Sequence, residues 1–296
     1  MPSPEIRLIT AAQLPGLDRQ PDEWAEGARR FVARLSADGT LEYVENIDVE
    51  MALLQVREQL LPVTISRPPR QSSLGRGQSD VVRPSVHYVD YHREFQARLR
   101  PDTPPWWLYA RSLPMAAAAR LGAMDRVAIV NQWLLTTNPA ARYLAEDPAG
   151  IAETLSAAFP DCAVIVRGLL PEREPDLTAD FARAGFRMIP YRRVWIVDDC
   201  AEALRKKKDA RQDLRLLERS DYVVRDDPDF LDSQAERLAD LYCQLYIGKH
   251  SRHNIRFKPE FIRLALGSGL WRIAALEKDG RVDGFKGWFV KDGLFT

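Results

Sequence analysis

The chain has 296 residues, 42 basic and 42 acidic side chains, and a formal net charge of zero. With 46% apolar and 28% charged residues it reads as an ordinary globular protein and not a disordered one. Zero net charge argues against holding nucleic acid by bulk electrostatics, which needs a strong basic excess, although a local basic stripe stays open.

At roughly 100–200 residues per domain, the length suggests two domains. The three cysteines, Cys162, Cys200 and Cys243, are 38 and 43 residues apart, so there is no Cys-x-x-Cys pair. An odd count without a disulfide pattern favours a reducing compartment. The opening Met-Pro-Ser-Pro-Glu-Ile-Arg has no basic segment followed by an apolar run, so no signal peptide is expected. Apolar stretches such as 115–119 are cut by charge well before the roughly 18 residues of a membrane span. The expectation is a cytoplasmic protein with no membrane partner.

The apolar residues Trp24, Ala28, Phe31, Val32 and Leu35 follow helical spacing over 22–36. Residues 41–66 are ambiguous between strand and helix, with Pro62 favouring extended chain around it. Residues 66–85 read as a polar loop. A short helix is predicted over 88–99, carrying Tyr88, Tyr91 and Phe95, and a second over 106–121, bent near Pro114. A strand starts at 127–130 and is predicted to run on through 131–138. A helix over 149–159 opens at Pro148. Then come a strand over 163–166, a helix over 177–184 stopped by Gly185, and a strand over 186–197 interrupted at Pro190. Strand, helix, strand, helix, strand is an α/β pattern.

All eight lysines lie after Arg205. The first 205 residues hold 24 arginines against 27 acidic groups, net −3, and the remainder is net +3. The shift coincides with a change of pattern near residue 200, and the predicted units are therefore 1–199 and 200–296. Residues 201–219 read as one helix with an apolar stripe (Ala203, Ala210, Leu214, Leu217) beside a basic one (Arg205, Lys208, Arg215, Arg219). Asp209 and Asp213 partly neutralise the basic stripe, so a solvated helix face is the simpler reading and RNA a less favoured partner. A short strand over 222–225, a helix over 231–247 ended by Gly248, a polar loop over 249–254 and a helix from Pro259 to Gly267 follow. Strands over 270–277 and 281–290 meet at Asp279-Gly280, a hairpin signal. Leu294-Phe295-Thr296 reads either as the start of a third strand, cut short relative to related chains, or as a short edge.

The segments 130–138 (Val-Asn-Gln-Trp-Leu-Leu-Thr-Thr-Asn), 205–215 (Arg-Lys-Lys-Lys-Asp-Ala-Arg-Gln-Asp-Leu-Arg) and 246–254 (Tyr-Ile-Gly-Lys-His-Ser-Arg-His-Asn), in this element order, resemble tandem GNAT acyltransferases of the Fem-like bacterial type. The resemblance covers about residues 40–296, with 126–198 as the back half of one module and 200–296 as the front half of a second. It implies an α/β (α+β) fold with mixed twisted sheets flanked by helices. It implies acyl transfer from acyl-CoA, such as acetyl-CoA, to an amine of a small molecule or peptide, with no covalently bound cofactor. The alternatives are a non-catalytic or truncated ligand-binding relative, and an aminoacyl-tRNA-dependent peptidyl transferase. A homodimer stays open.

In that family the acyl-CoA pyrophosphate rests on a Gln/Arg-x-x-Gly-x-Gly/Ala turn opening a helix, where backbone N–H groups face the anion. In the second module this turn would lie beyond residue 296. The nearest alternative, Arg70-Gln-Ser-Ser-Leu-Gly-Arg-Gly77, has the wrong spacing and reads better as a surface loop. The polar run 249–254 falls where related enzymes shape the acceptor site. There His250 or His253 is a candidate base and Tyr246 a candidate acid toward a leaving thiolate. Lys249 and Arg252 are candidate anion holders, with Asn254 beside them. A solvated interhelical loop is the plainer reading of the same residues. His-x-x-His lacks a third ligand, so no metal is expected. Asn131, Trp133, Thr136, Thr137 and Asn138 either face a pocket where the fourth and fifth strands splay, or form a packed strand end whose Thr-Thr-Asn caps a turn. Lys286 lies mid-strand, either reaching a cleft or on an exposed face.

Overall fold

The computed structural model describes residues 6–20, 22–68, 78–121, 123–138, 147–291 and 294–295. The candidate phosphate turn, Arg70 to Gly77, falls outside them, as does Thr296.

The first sheet contains β1 (Ile6–Ile9), β2 (Glu50–Val56), β3 (Gln59–Ser66), β4 (Val127–Val130) and β5 (Ala163–Val166), adjacent in that order. β1 through β4 pair antiparallel, and β5 pairs parallel to β4. β2 and β3 are buried on both faces. Met51, Leu53 and Leu60 point to one core, and Ala52, Leu54, Val56, Leu61, Val63 and Ile65 to the other. A strand covered on both sides shows no polar alternation, which is why 41–66 is ambiguous in the sequence.

One face is covered by α1 (Glu23–Asp38), whose Ala25, Ala28, Phe31, Val32 and Leu35 are buried. Asp22 caps it by accepting from Ala25 N–H at 2.7 Å. α2 (Thr40–Tyr43) follows directly. A π-helical turn (Val86–Tyr91) leads into α3 (His92–Leu99), and α4 (Pro105–Leu121) retains Pro114 in its interior. The other face is covered by α5 (Pro148–Ala158) and α6 (Pro175–Arg183) through Ile151, Leu155, Leu177 and Phe181.

The second sheet is β6 (Val223–Arg225), β7 (Arg272–Lys278) and β8 (Arg281–Trp288), all antiparallel. As the sequence predicts, Asp279 and Gly280 turn the β7–β8 hairpin, with φ of 51° and 76°. α9 (Pro228–Ser233), α10 (Ala235–Tyr242) and α11 (Pro259–Ser268) pack on it through Leu231, Ala235, Leu238 and Ile262. β9 (Val290–Lys291) pairs with β10 (Leu294–Phe295), so the last apolar residues form a short edge pairing. The protein is thus a mixed α/β structure with two separate sheets flanked by helices. No helix among the described residues is long and apolar enough to cross a membrane.

The two sheets fall on either side of residue 200, yet the largest core draws on both stretches. Ile255, Phe257, Phe261, Leu270 and Phe289 join Phe31, Leu53, Val81 and Trp133. Backbone bonds reinforce it: Glu45 N–H donates to the Arg256 carbonyl at 3.0 Å, and Lys258 N–H to the Tyr43 carbonyl at 2.9 Å.

Several predicted elements differ. Residues 131–138 do not extend β4, because Asn131 and Leu134 take left-handed backbone (φ 59° and 57°), which turns the chain out of the ladder. Residues 186–197 form no strand. Pro190 lacks a donor, and Tyr191 is pinned by its side chain instead of by a ladder. The 201–219 helix is two helices, α7 (Cys200–Lys206) and α8 (Lys208–Arg219), parted by extended Lys207. Asp209 suits the fresh N-terminus that this break creates. The helix predicted over 231–247 is α9 and α10, followed by a π-helical run over Cys243–His250. Gly248 does not end it, so Lys249 and His250 lie on a helix and not in a loop. Within the predicted loop 66–85, Ser79, Asp80, Val81 and Val82 are fully buried.

Candidate functional site

The buried strap 79–82 organises the polar interior. Ser79 N–H donates to the Asn46 carbonyl at 2.9 Å and Asp80 N–H to the His253 carbonyl at 3.0 Å. The Val81 carbonyl accepts from Gln132 Nε2 at 2.8 Å. The strap therefore ties the end of β4 to the 251–254 turn, the two places that carry the sequence-derived candidates.

At the end of β4 those candidates are satisfied internally. Asn131 Nδ2 donates to the Arg167 carbonyl (3.1 Å), and its Oδ1 accepts from Trp133 Nε1 (2.9 Å). Trp133 N–H donates to Asn138 Oδ1 (3.0 Å), and Asn138 Nδ2 to the Leu135 carbonyl (3.1 Å). Trp133 itself is enclosed by Trp24, Phe31 and Phe289. Thr136 and Thr137 are half-buried. This geometry is that of a locked strand end.

The 246–254 candidates divide by burial. Lys249, His250 and Arg252 are exposed, as is Tyr246, which stacks on Tyr242 with centroids 4.5 Å apart and lies 6.0 Å from the His250 ring. His253 and Asn254 are buried. The Asn254 carbonyl accepts from Asn46 Nδ2 at 2.8 Å, and Asn254 Nδ2 donates to the Tyr246 carbonyl at 2.8 Å, so Asn254 braces the turn. His253 Nε2 accepts from Arg252 Nε at 3.3 Å. Burial pulls the His253 imidazole below its ordinary pKa, against the nearby Asp90 carboxylate, and so favours the neutral ring. Burial also pushes the Asp90 carboxyl up, opposed by His253 and Arg93. Lys286 lies on the exposed face of β8.

A further cluster, absent from the sequence reading, lies beside the strap. His87 Nδ1 is 3.1 Å from Asp80 Oδ2, and Nε2 is 3.0 Å from the Tyr191 carbonyl oxygen. Arg192 reaches the same Asp80 oxygen at 3.5 Å. Tyr191 stacks on His87 (4.1 Å between centroids) and lies under the Arg167 guanidinium at 3.9 Å. Burial raises the Tyr191 pKa. Tyr88 adds a hydrogen bond to the Pro190 carbonyl at 3.3 Å. The sequence signals were the apolar Val81-Val82 inside a polar stretch and the His87-Tyr88…Tyr91 spacing. Neither shows that Tyr191, 104 residues beyond His87, completes the group.

Arg167 follows β5 directly, and Asn131 follows β4, at the place where antiparallel pairing gives way to parallel pairing. The N-terminus of α5, which follows β4, is occupied: Asp147 Oδ1 accepts from Gly150 N–H at 2.8 Å. A carboxylate at that position repels a phosphate. The basic residues of α8 line a surface hollow with Gln212, Asp213 and Leu216, all from one helix. No group of His, Cys, Asp and Glu among the described residues is arranged to hold a metal ion. Comparison with protein-family models, curated proteins and solved structures finds no match.

Proposed function

We propose that this protein is an N-acyltransferase of the GNAT-like kind, moving an acyl group from an acyl-CoA thioester to an amine. The observation that carries the reading is the run β4–α5–β5–α6 in a mixed sheet, with β4 and β5 parallel and ending beside the cluster of Asp80, His87, Arg167 and Tyr191. The resemblance implies that run. The chemistry asks little of the protein. The amine nitrogen attacks the thioester carbon, its proton passes to a base, and the thiolate leaves with a proton from an acid. His253, kept neutral by burial, and His250 beside Tyr246 are the bases within this chain's candidate set, and Tyr246 is the acid.

A second reading, a ligand-binding relative without catalysis, has its own support. Residues 131–138 engage polar groups with one another and with the Arg167 and Val81 carbonyls, and Asp147 caps the α5 N-terminus that a pyrophosphate would need. Isothermal titration with acetyl-CoA separates the two. Saturable binding is expected for the transferase, and heats no larger than those of dilution leave the binding protein.

A further inference from the structure

Arg167 is 8% exposed and stands where β5 ends, beside the end of β4. Taking a guanidinium out of water is costly unless an anion or a full set of acceptors meets it. By contrast, Arg83, Arg93 and Arg192 lie 3.9, 3.3 and 3.5 Å from Asp125, Asp90 and Asp80. Among the described residues no carboxylate forms an ion pair with Arg167. Its compensation is the face of the Tyr191 ring, and a cation–π contact offsets only part of the loss. The guanidinium also lies beside the Tyr191 hydroxyl, yet its Nη1 and that hydroxyl both lack a hydrogen-bond partner of good geometry.

We propose that Arg167 anchors a carboxylate-binding subsite at the carboxyl ends of β4 and β5. The charge balance selects the ligand. Asp80, fully buried, is met by Arg192, which leaves Arg167 as the cluster's uncompensated cation. One planar cation matches one planar monoanion, held by two parallel N–H donors. A phosphate dianion would bring a second negative charge toward buried Asp80. The subsite rests on the acyl-transfer reading in one respect only, that it makes the acceptor an amine that also carries a carboxylate.

The test uses the whole chain and omits acetyl-CoA from every arm, so its outcome is separate from that of the thioester titration. Sodium benzoate, neutral benzamide and inorganic phosphate are titrated by ligand-observed NMR. Benzoate is expected to bind about tenfold or more tighter than benzamide, the size of a charge-assisted hydrogen bond, and tighter than phosphate. In R167Q the preference for benzoate over benzamide is expected to vanish, and in R167K to be reduced, since a point charge replaces the fork. Far-ultraviolet circular dichroism checks that both variants fold. Equal affinity of the wild-type chain for benzoate and benzamide, or no binding of either, overturns the subsite without any variant. Phosphate binding tighter than benzoate overturns the choice of carboxylate. An unchanged benzoate preference in folded R167Q overturns the assignment to Arg167.

Discussion

Asn131 offers a stepwise test of the locked strand end. It combines left-handed backbone (φ 59°) with full burial and two side-chain hydrogen bonds, to the Arg167 carbonyl and from Trp133 Nε1. Truncation in Asn131→Ala removes both bonds, each worth about 1 kcal/mol net, and leaves buried partners unpaired. It also places alanine in a conformation that costs a residue with a Cβ about 1 kcal/mol. The expected loss is therefore about 3 kcal/mol. Asn131→Gly loses the same bonds but tolerates the backbone, so it should lose about 2 kcal/mol. Urea denaturation at neutral pH, with unchanged slope, reads both values. The order is the decisive feature. If glycine is more harmful than alanine, the left-handed conformation is not what positions this residue. If both variants lose less than about 1 kcal/mol, the buried network is not made.

Two further perturbations probe the join between the halves and the helix that spans it. A Cβ on Gly27 would meet Leu270 Cδ2 at 2.6 Å and the Ser268 carbonyl oxygen at 3.1 Å. Helix propensity alone would make Gly27→Ala stabilising by about 1 kcal/mol, but the clash is expected to reverse the sign to a net loss of about 1–2 kcal/mol; a raised melting temperature would show that α1 does not pack on residues 268–270. Glu26 is held well below its ordinary value of 4.5 by hydrogen bonds from Arg29, with Gln20 N–H and Arg30 adding to the effect. Its folded-state pKa is depressed, so its contribution is present above pH 4.5 and lost as pH falls below it. The stability gap between wild type and Glu26→Gln, followed by urea midpoints, should be largest at neutral pH and shrink in acid, and a gap independent of pH would contradict the ion pairs.

The elements that were legible in the sequence are those whose cause is local. The α1 stripe, Pro148 and Pro259 at helix starts, the Gly185 stop and the Asp279-Gly280 turn act within a few residues, and each stands where the pattern put it. The misread stretches share a different property. Residues 131–138 and 186–197 have the composition of strands, but their backbone follows side-chain anchors far along the chain: Val81 and Arg167 for the first, His87 for the second. Of the candidate site, His253 and Asn254 were visible as polar residues in a dense run. Their burial was not, because it comes from Asn46 and Asp80.

By itself the sequence determined composition class, the helix and turn punctuation, and an α/β order of elements, since these depend on propensity and period. The tertiary structure alone decided that one core joins the two stretches around residue 200, and that Asp80, His87, Arg167 and Tyr191 meet. No spacing rule encodes such a meeting. It follows from which strands pair and which faces are covered, and burial then fixes which charges find partners.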